Sequence, residues 1–337
     1  MIKFFIYTHL LFASFIPLLS AHTTGEVICS GEQCYTIVET LGAGAFGQVF
    51  KVEDRRGKPL ALKVYHQPSN PSDLNGAPYE DVAREYERGQ QLSHPHIVKS
   101  IDYFTEPADG DKINSYLFLQ FIKGNTLWRT MSGDLTIQQA ASAALDFTKA
   151  AHHAASRKLL HLDLHEGNVM VDDKKEIMVI DLASFFTVEE IIGFIADTNS
   201  TVKHKALGEK MAANMPIRQK KLEQFFEERP ELLEQLQKTS TEPQEASDTP
   251  IHKGIAAKGI PSVEQTNSLY QYYFFSVVGM TYDILDKATI PQKKRAHLDR
   301  MVKQLEESIQ HKVDQRQPVS LPAYLLKLEE AIWRAMR

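Results

Sequence analysis

Between residues 35 and 65 apolar and polar positions alternate in short runs. Segments 35–39, 48–52 and 60–65 read as strands joined by a glycine-rich loop and by the turn Asp54-Arg55-Arg56-Gly57, which predicts a three-stranded antiparallel meander. The stretch 70–78 holds two prolines, two asparagines and a glycine and reads as loop, whereas 79–92 reads as helix. Further strands are expected at 98–104 and 116–122, joined through the polar residues 106–112. Thr136-Ile137-Gln138-Gln139 has the form of a capping box. Ile137, Ala140, Ala141, Ala144, Phe147, Thr148 and Ala151 then keep a helical period, so a long, mostly buried helix starts there. Two short strands, 169–171 and 177–180, flank the turn 172–175.

Beyond Phe186 charged helical patterns run to about Gln237, and 239–261 reads as a flexible insert rich in Thr, Ser, Pro, Glu and Gly. Three helices are expected to close the chain, at 270–284, at 293–310 and after Ser320 as cap, with Pro322 in the first turn. Leu321, Leu325, Leu328 and Ile332 share one face of the last helix, which suits a core. Strands first and helices after predict an α+β chain.

Composition narrows the function classes. The 337 residues are 43% apolar and 24% charged, which suits a globular protein and excludes collagen-like, coiled-coil and wholly disordered chains. Lys plus Arg (38) against Asp plus Glu (43) gives a net charge of −5, so there is no global field for nucleic acid or an anionic membrane, and no nucleic-acid partner is expected. The first residues depart from that average: Lys3 precedes a largely apolar run, 4–20, followed by Ala21 and small or polar residues. This matches a secretory signal peptide over 1–21, with export and no stable membrane anchor after cleavage. An uncleaved anchor through 4–20, or an ordinary N-terminal helix, would read similarly. Cys29 and Cys34 are the two cysteines. The four residues between them form a plausible hairpin loop, which leaves two readings: a disulfide in an oxidising compartment, or two free thiols on a strand.

Candidate chemistry sits in three places. Gly42-Ala43-Gly44-Ala45-Phe46-Gly47 continues into a strand at Val49, whereas a dinucleotide fold would start a helix there. Such a loop lets backbone amides approach phosphate oxygens. Lys63 lies within an apolar strand, and Val82, Glu85, Tyr86 and Gly89 are spaced so that Glu85 shares the inward face of the next helix. A carboxylate aimed inward needs a cation, and Lys63 is the nearest candidate. His161-Leu162-Asp163-Leu164-His165-Glu166-Gly167-Asn168 is followed by Asp181-Leu182-Ala183. Asp163, Asn168 and Asp181 could supply a base, an amide oxygen and a carboxylate around magnesium.

Taken in order, these segments resemble the protein-kinase superfamily. Gly42, Gly44, Gly47 and Val49 resemble its glycine loop, Ala61-Leu62-Lys63 its third-strand lysine motif and Glu85 its helix glutamate. Residues 92–98 resemble the turn before its fourth strand, 117–121 its hinge, His161 to Asn168 its catalytic loop and Asp181-Leu182-Ala183 its magnesium motif. The resemblance covers 35–185 and implies a bilobal fold: a small antiparallel β-sheet lobe with one helix over 35–122, and a mostly helical lobe over 123–337 with an atypical activation segment. It implies ATP as substrate with Mg2+, Lys63 on the α and β phosphates paired with Glu85, Asp163 as base, and Asn168 and Asp181 on the metal. Val49, Ala61 and Leu119 would line an adenine slot, and Gln120 to Ile122 would offer it backbone hydrogen bonds.

The implied activity is phosphoryl transfer to protein Ser/Thr hydroxyls, with substrates that include those of a host cell if the exported chain is an effector. Departures from the family pattern keep two other readings open, a small-molecule or lipid phosphotransferase and a nucleotide-binding pseudokinase. Leu162 stands where many kinases carry arginine, His165 where Ser/Thr kinases carry lysine, and Ala183 where the family has glycine. No Ala-Pro-Glu follows Phe186, and 270–285 lacks the aspartate usual in the central helix of the second lobe. With Leu162 in place, activation through a phosphorylated loop is not expected.

Overall fold

The alternation at the start of the chain becomes one antiparallel sheet of six strands, β1 (Val27–Ser30), β2 (Gln33–Gly44), β3 (Gly47–Asp54), β4 (Pro59–Pro68), β5 (Ser100–Ala108) and β6 (Lys112–Gln120), in the order β1-β2-β3-β4-β6-β5. The computed structural model describes residues 22–44, 47–68, 82–108, 112–201, 222, 224–241 and 261–337. The expected leader at 1–21, the loop at 70–78 and most of the insert at 239–261 lie outside them; Thr239 to Thr241 instead end a helix. Among the described residues no helix is long and apolar enough to cross a membrane.

Period-two patterning gives the sheet two faces. Phe50, Val52, Leu60, Leu62, Val64, Tyr116 and Phe118 share one buried cluster with Ile28, Tyr35 and Ile37. Residues of opposite parity on β4, Lys63 and Tyr65, face helix α1 (Val82–Gln91), where Tyr65, Val82 and Leu117 pack together. The first hairpin is tighter than expected: Ser30 pairs with Gln33, so only Gly31 and Glu32 form the turn, and Cys29 lies opposite Cys34 in a disulfide. Of the two readings for these cysteines the structure contains the bonded one. The polar stretch expected to connect β5 and β6 is mostly strand, with Glu106 opposite Asn114 and Pro107 opposite Ile113. Proline is tolerated there because β5 is an edge strand, where one row of N–H groups has no partner to lose.

The second lobe is built on α2 (Ile137–Ala155), whose capping box is complete in both directions between Thr136 and Gln139. Its small buried residues, Ala140, Ala143, Ala144, Ala150, Ala151 and Ala154, allow close helix packing. Three short strands, β7 (Gly124–Thr126), β9 (Val169–Asp172) and β10 (Ile177–Val179), form one sheet, and β8 (Leu159–His161) pairs with β11 (Phe185–Thr187). Helices α3 (Val188–Thr201), α4 (Pro230–Thr241), α5 (Val263–Leu285), α6 (Gln292–Asp314) and α7 (Leu321–Met336) complete the lobe.

Helix α5 starts seven residues before the expected 270, because Ser262 and Gln265 form a second capping box. Polar residues masked that start in sequence, yet Gln265 and Asn267 are buried and bonded, to the Leu236 carbonyl and to Gln317 and Val319 respectively. Ser320 occupies the cap position of α7 but makes no side-chain cap bond, so the expected capping role is not realised. The lobes are tied by Arg88 of α1, whose guanidinium meets Glu190 of α3 at 2.8 Å; the same Glu190 oxygen accepts the Thr187 N–H at the start of α3.

Candidate active site

Lys63 and Glu85 meet across the sheet–helix junction. Nζ lies 3.1 Å and 3.3 Å from the two carboxylate oxygens, and the Tyr65 hydroxyl donates to Glu85 Oε2 at 2.6 Å. Glu85 is 1% exposed, so its charge needs both partners. On its other side Lys63 reaches Asp181 Oδ1 at 3.6 Å. Helix α1 comes this close because Gly89 has no side chain: a Cβ there would lie 2.2 Å from Ser100 Oγ and 2.8 Å from Leu182 Cδ1.

The catalytic-loop candidates follow β8. His161 is buried; its Nε2 bonds the Ile180 carbonyl (3.1 Å) and its Nδ1 accepts the Asp163 N–H (3.3 Å), which places the ring proton on Nε2. The ring therefore ties the backbone of Asp163 to the residue before Asp181. Asn168 turns its Nδ2 to Asp163, bonding the carbonyl at 2.9 Å and Oδ2 at 3.1 Å. His165 Nδ1 accepts the Gly167 N–H, and Nε2 faces Asp163 Oδ2 at 3.7 Å.

Partial desolvation raises the pKa of the Asp163 carboxyl, but the contact with His165 and the charge of that ring outweigh it and hold the group below its ordinary value. The Asp163 contact in turn raises the pKa of His165. A base must be ionised to accept a proton, so His165→Ala, which leaves burial less opposed, is expected to move the acid limb of the pH–rate profile to higher pH. An unmoved acid limb would show that His165 does not set the ionisation of Asp163.

Asp181 adopts a left-handed backbone, φ +61°, which aspartate tolerates better than most residues. Ser184 Oγ donates to its Oδ2 at 2.5 Å and orients the carboxylate. Ala183 lies in a buried helical turn (Leu182–Ser184) without positive φ, so alanine fits where glycine was expected. With Nδ2 turned to Asp163, the Asn168 amide oxygen remains as a ligand for a cation, and Asp181 supplies carboxylate oxygen. Two hard oxygen ligands suit Mg2+, which takes its other ligands from phosphates and water.

Above these groups, Gly42 and Gly44 end β2 and Gly47 opens β3. Gly47 has φ +139°, and a Cβ there would lie 2.1 Å from the Val64 carbonyl, so only glycine fits. Val49 lies opposite Lys63, and Ala61 opposite Leu119, on adjacent strands. The expected base-binding hinge needs one adjustment: the Gln120 N–H donates to the Lys99 carbonyl at 2.9 Å, which leaves Phe121 and Ile122 to offer an N–H.

Sequence reasoning missed Ser184 and Tyr273. Tyr273 of α5 is buried, and its hydroxyl accepts the backbone N–H of His161. It anchors the catalytic loop from the central helix, where the usual aspartate is lacking. Tyr273→Phe leaves that N–H without its acceptor, at a cost of about 1–3 kcal/mol. The expected result is a lower thermal midpoint and a lower kcat; an unchanged kcat would remove the anchoring role.

A family model for the protein kinase domain matches residues 35–190. Among curated relatives, Aurora kinase B-A of Xenopus laevis is 27% identical over 150 residues, 44% of this chain and 39% of the relative. Mitogen-activated protein kinase kinase 7 of Arabidopsis thaliana is 27% identical over 188 residues, covering 52% and 57%. DNA damage-responsive serine/threonine-protein kinase RqkA of Deinococcus radiodurans is 30% identical over 145 residues, covering 41% and 20%. The chain thus spans between a fifth and three-fifths of these relatives' lengths. With Lys63 paired to Glu85 and facing Asp181, and with Asn168 bonded to Asp163, residues 35–190 belong to the protein-kinase superfamily.

Proposed function

We propose that the chain is an ATP- and Mg2+-dependent kinase that transfers the γ-phosphate to Ser or Thr hydroxyls of proteins, and that it acts as an exported protein. The observation that carries this reading is the convergence of Lys63, Glu85 and Asp181 beside the bonded pair Asp163 and Asn168. Lys63, oriented by Glu85, neutralises the α and β phosphates, and the glycine loop covers them. Asp163 accepts the acceptor hydroxyl's proton as the new O–P bond forms and the bond to the ADP oxygen breaks. Asn168 and Asp181 would hold magnesium, which would supply positive charge against the phosphates. Catalysis is then positioning plus charge stabilisation.

Export is supported by the leader-like pattern of 1–21 and by the Cys29–Cys34 disulfide, a bond that persists in oxidising compartments. Because the reaction consumes ATP, an exported kinase must end where ATP is present, as an effector in a host cell or in a eukaryotic secretory lumen. His165 favours a second reading with a small-molecule or lipid acceptor.

One assay separates them: γ-labelled ATP with the chain lacking 1–21, offered itself, generic proteins, lipids and small polyols, with and without magnesium. Metal-dependent label on protein Ser/Thr is the expected result. Label confined to lipids or polyols supports the second reading, and nucleotide binding without transfer to any acceptor indicates a pseudokinase.

A further inference from the structure

Beside Asp163 lies a recess of about 60 Å3 that no step above uses. Asp163, Leu162 and Phe186 line one side, and Gln224, Glu228 and Arg229 the other. The second wall comes from the helical stretch around 224–227 that leads into α4, and Arg229 is fixed in it. Its Nη1 donates to the Phe225 carbonyl at 3.0 Å, its Nε donates to the Tyr272 hydroxyl, and its guanidinium lies 4.5 Å and 5.6 Å from the Phe225 and Tyr272 ring centres. Among the described residues its one carboxylate partner is Glu228, its sequence neighbour, at 3.1 Å and about half exposed. Exposed pairs of this kind hold weakly. Nη2 has no hydrogen-bond partner among the described residues.

A planar cation held in place before any ligand arrives loses little freedom on binding and matches the paired oxygens of a carboxylate or phosphate. The apolar surfaces of Leu162, Phe186 and Phe225 thin the water around it and strengthen its field. Asp163 and Glu228 oppose an anion, but the Asp163 carboxylate is already engaged by Asn168 Nδ2 at 3.1 Å and faced by His165 at 3.7 Å, and Glu228 is a displaceable tether.

We propose that Arg229 holds an anionic group next to the hydroxyl that Asp163 activates, which makes the recess a subsite for acidic acceptor segments, with Glu228 as the internal competitor. This rests on the kinase reading above and names its substrate class.

The test is a positional peptide array in which one serine or threonine is flanked, at each neighbouring position in turn, by aspartate, phosphoserine, alanine or lysine. The array is phosphorylated by the chain lacking 1–21. For wild type, one flanking position is expected to favour an acidic group over alanine by about tenfold in kcat/KM. Aspartate and phosphoserine distinguish carboxylate from phosphate as the preferred group. Arg229→Gln should bring the ratio close to one, and Glu228→Gln should raise it.

Because Arg229 also packs on two rings, Glu228→Gln keeps the test decisive if the first variant does not fold. A wild-type array without acidic preference, or a ratio that Glu228→Gln leaves unchanged, overturns the subsite while the kinase reading stands. No transfer to any peptide or protein removes both.

Discussion

Asp163→Asn lowers phosphoryl transfer by a factor on the order of a thousand while fold and nucleotide binding persist. The estimate follows from the usual contribution of a positioned general base. The asparagine side chain has nearly the same shape but cannot take the hydroxyl proton. Asp163 is 58% exposed and its main hydrogen bonds come from Asn168, one of them through the backbone carbonyl, so the substitution strands no buried group. The comparison needs initial rates, a nucleotide dissociation constant and a thermal midpoint. If turnover fell less than about tenfold with the other two unchanged, Asp163 would not be the base.

Lys63→Ala behaves differently, because it strikes activity and stability together. Without Nζ the 1% exposed Glu85 carboxylate keeps, among the described residues, the Tyr65 hydroxyl, and breaking a buried pair from one side typically costs about 3–5 kcal/mol. Lys63 is 18% exposed, which places the expected loss toward the lower end, about 3 kcal/mol. Adding Glu85→Gln removes the stranded charge and should recover part of the stability but none of the nucleotide affinity. Denaturant titration of both single variants and the double variant measures this. Additive losses would show that the two groups do not depend on each other in the folded chain.

How much could be read in advance follows from the range over which each residue acts. Lys63 and Glu85 were legible because a charge on an apolar face is anomalous in sequence and the anomaly calls for a partner. The meander and α2 were legible because alternation and the capping box at Thr136 are local patterns. Strands β8 and β11, three residues each and largely buried, carry no alternation to detect. Helix α5 was begun too late because Gln265 and Asn267 break the apolar period, and their buried partners come from Leu236, Gln317 and Val319, far along the chain. Tyr273, Ser184 and Arg229 are ordinary residue types whose roles arise only when α5, the Asp181 turn and the entry to α4 are brought beside Asp163. No spacing along the chain encodes that meeting.

The link from Arg88 to Glu190 has a thermodynamic corollary. One carboxylate oxygen serves both the opening turn of α3 and the helix that carries Glu85. Whatever draws α3 outward therefore loosens α1, and whatever seats α1 more firmly favours the start of α3. Such coupling is reciprocal by necessity: a nucleotide that tightens the lysine–glutamate pair and a protein that grips α3 would each alter the other's affinity by the same factor, though neither touches the other.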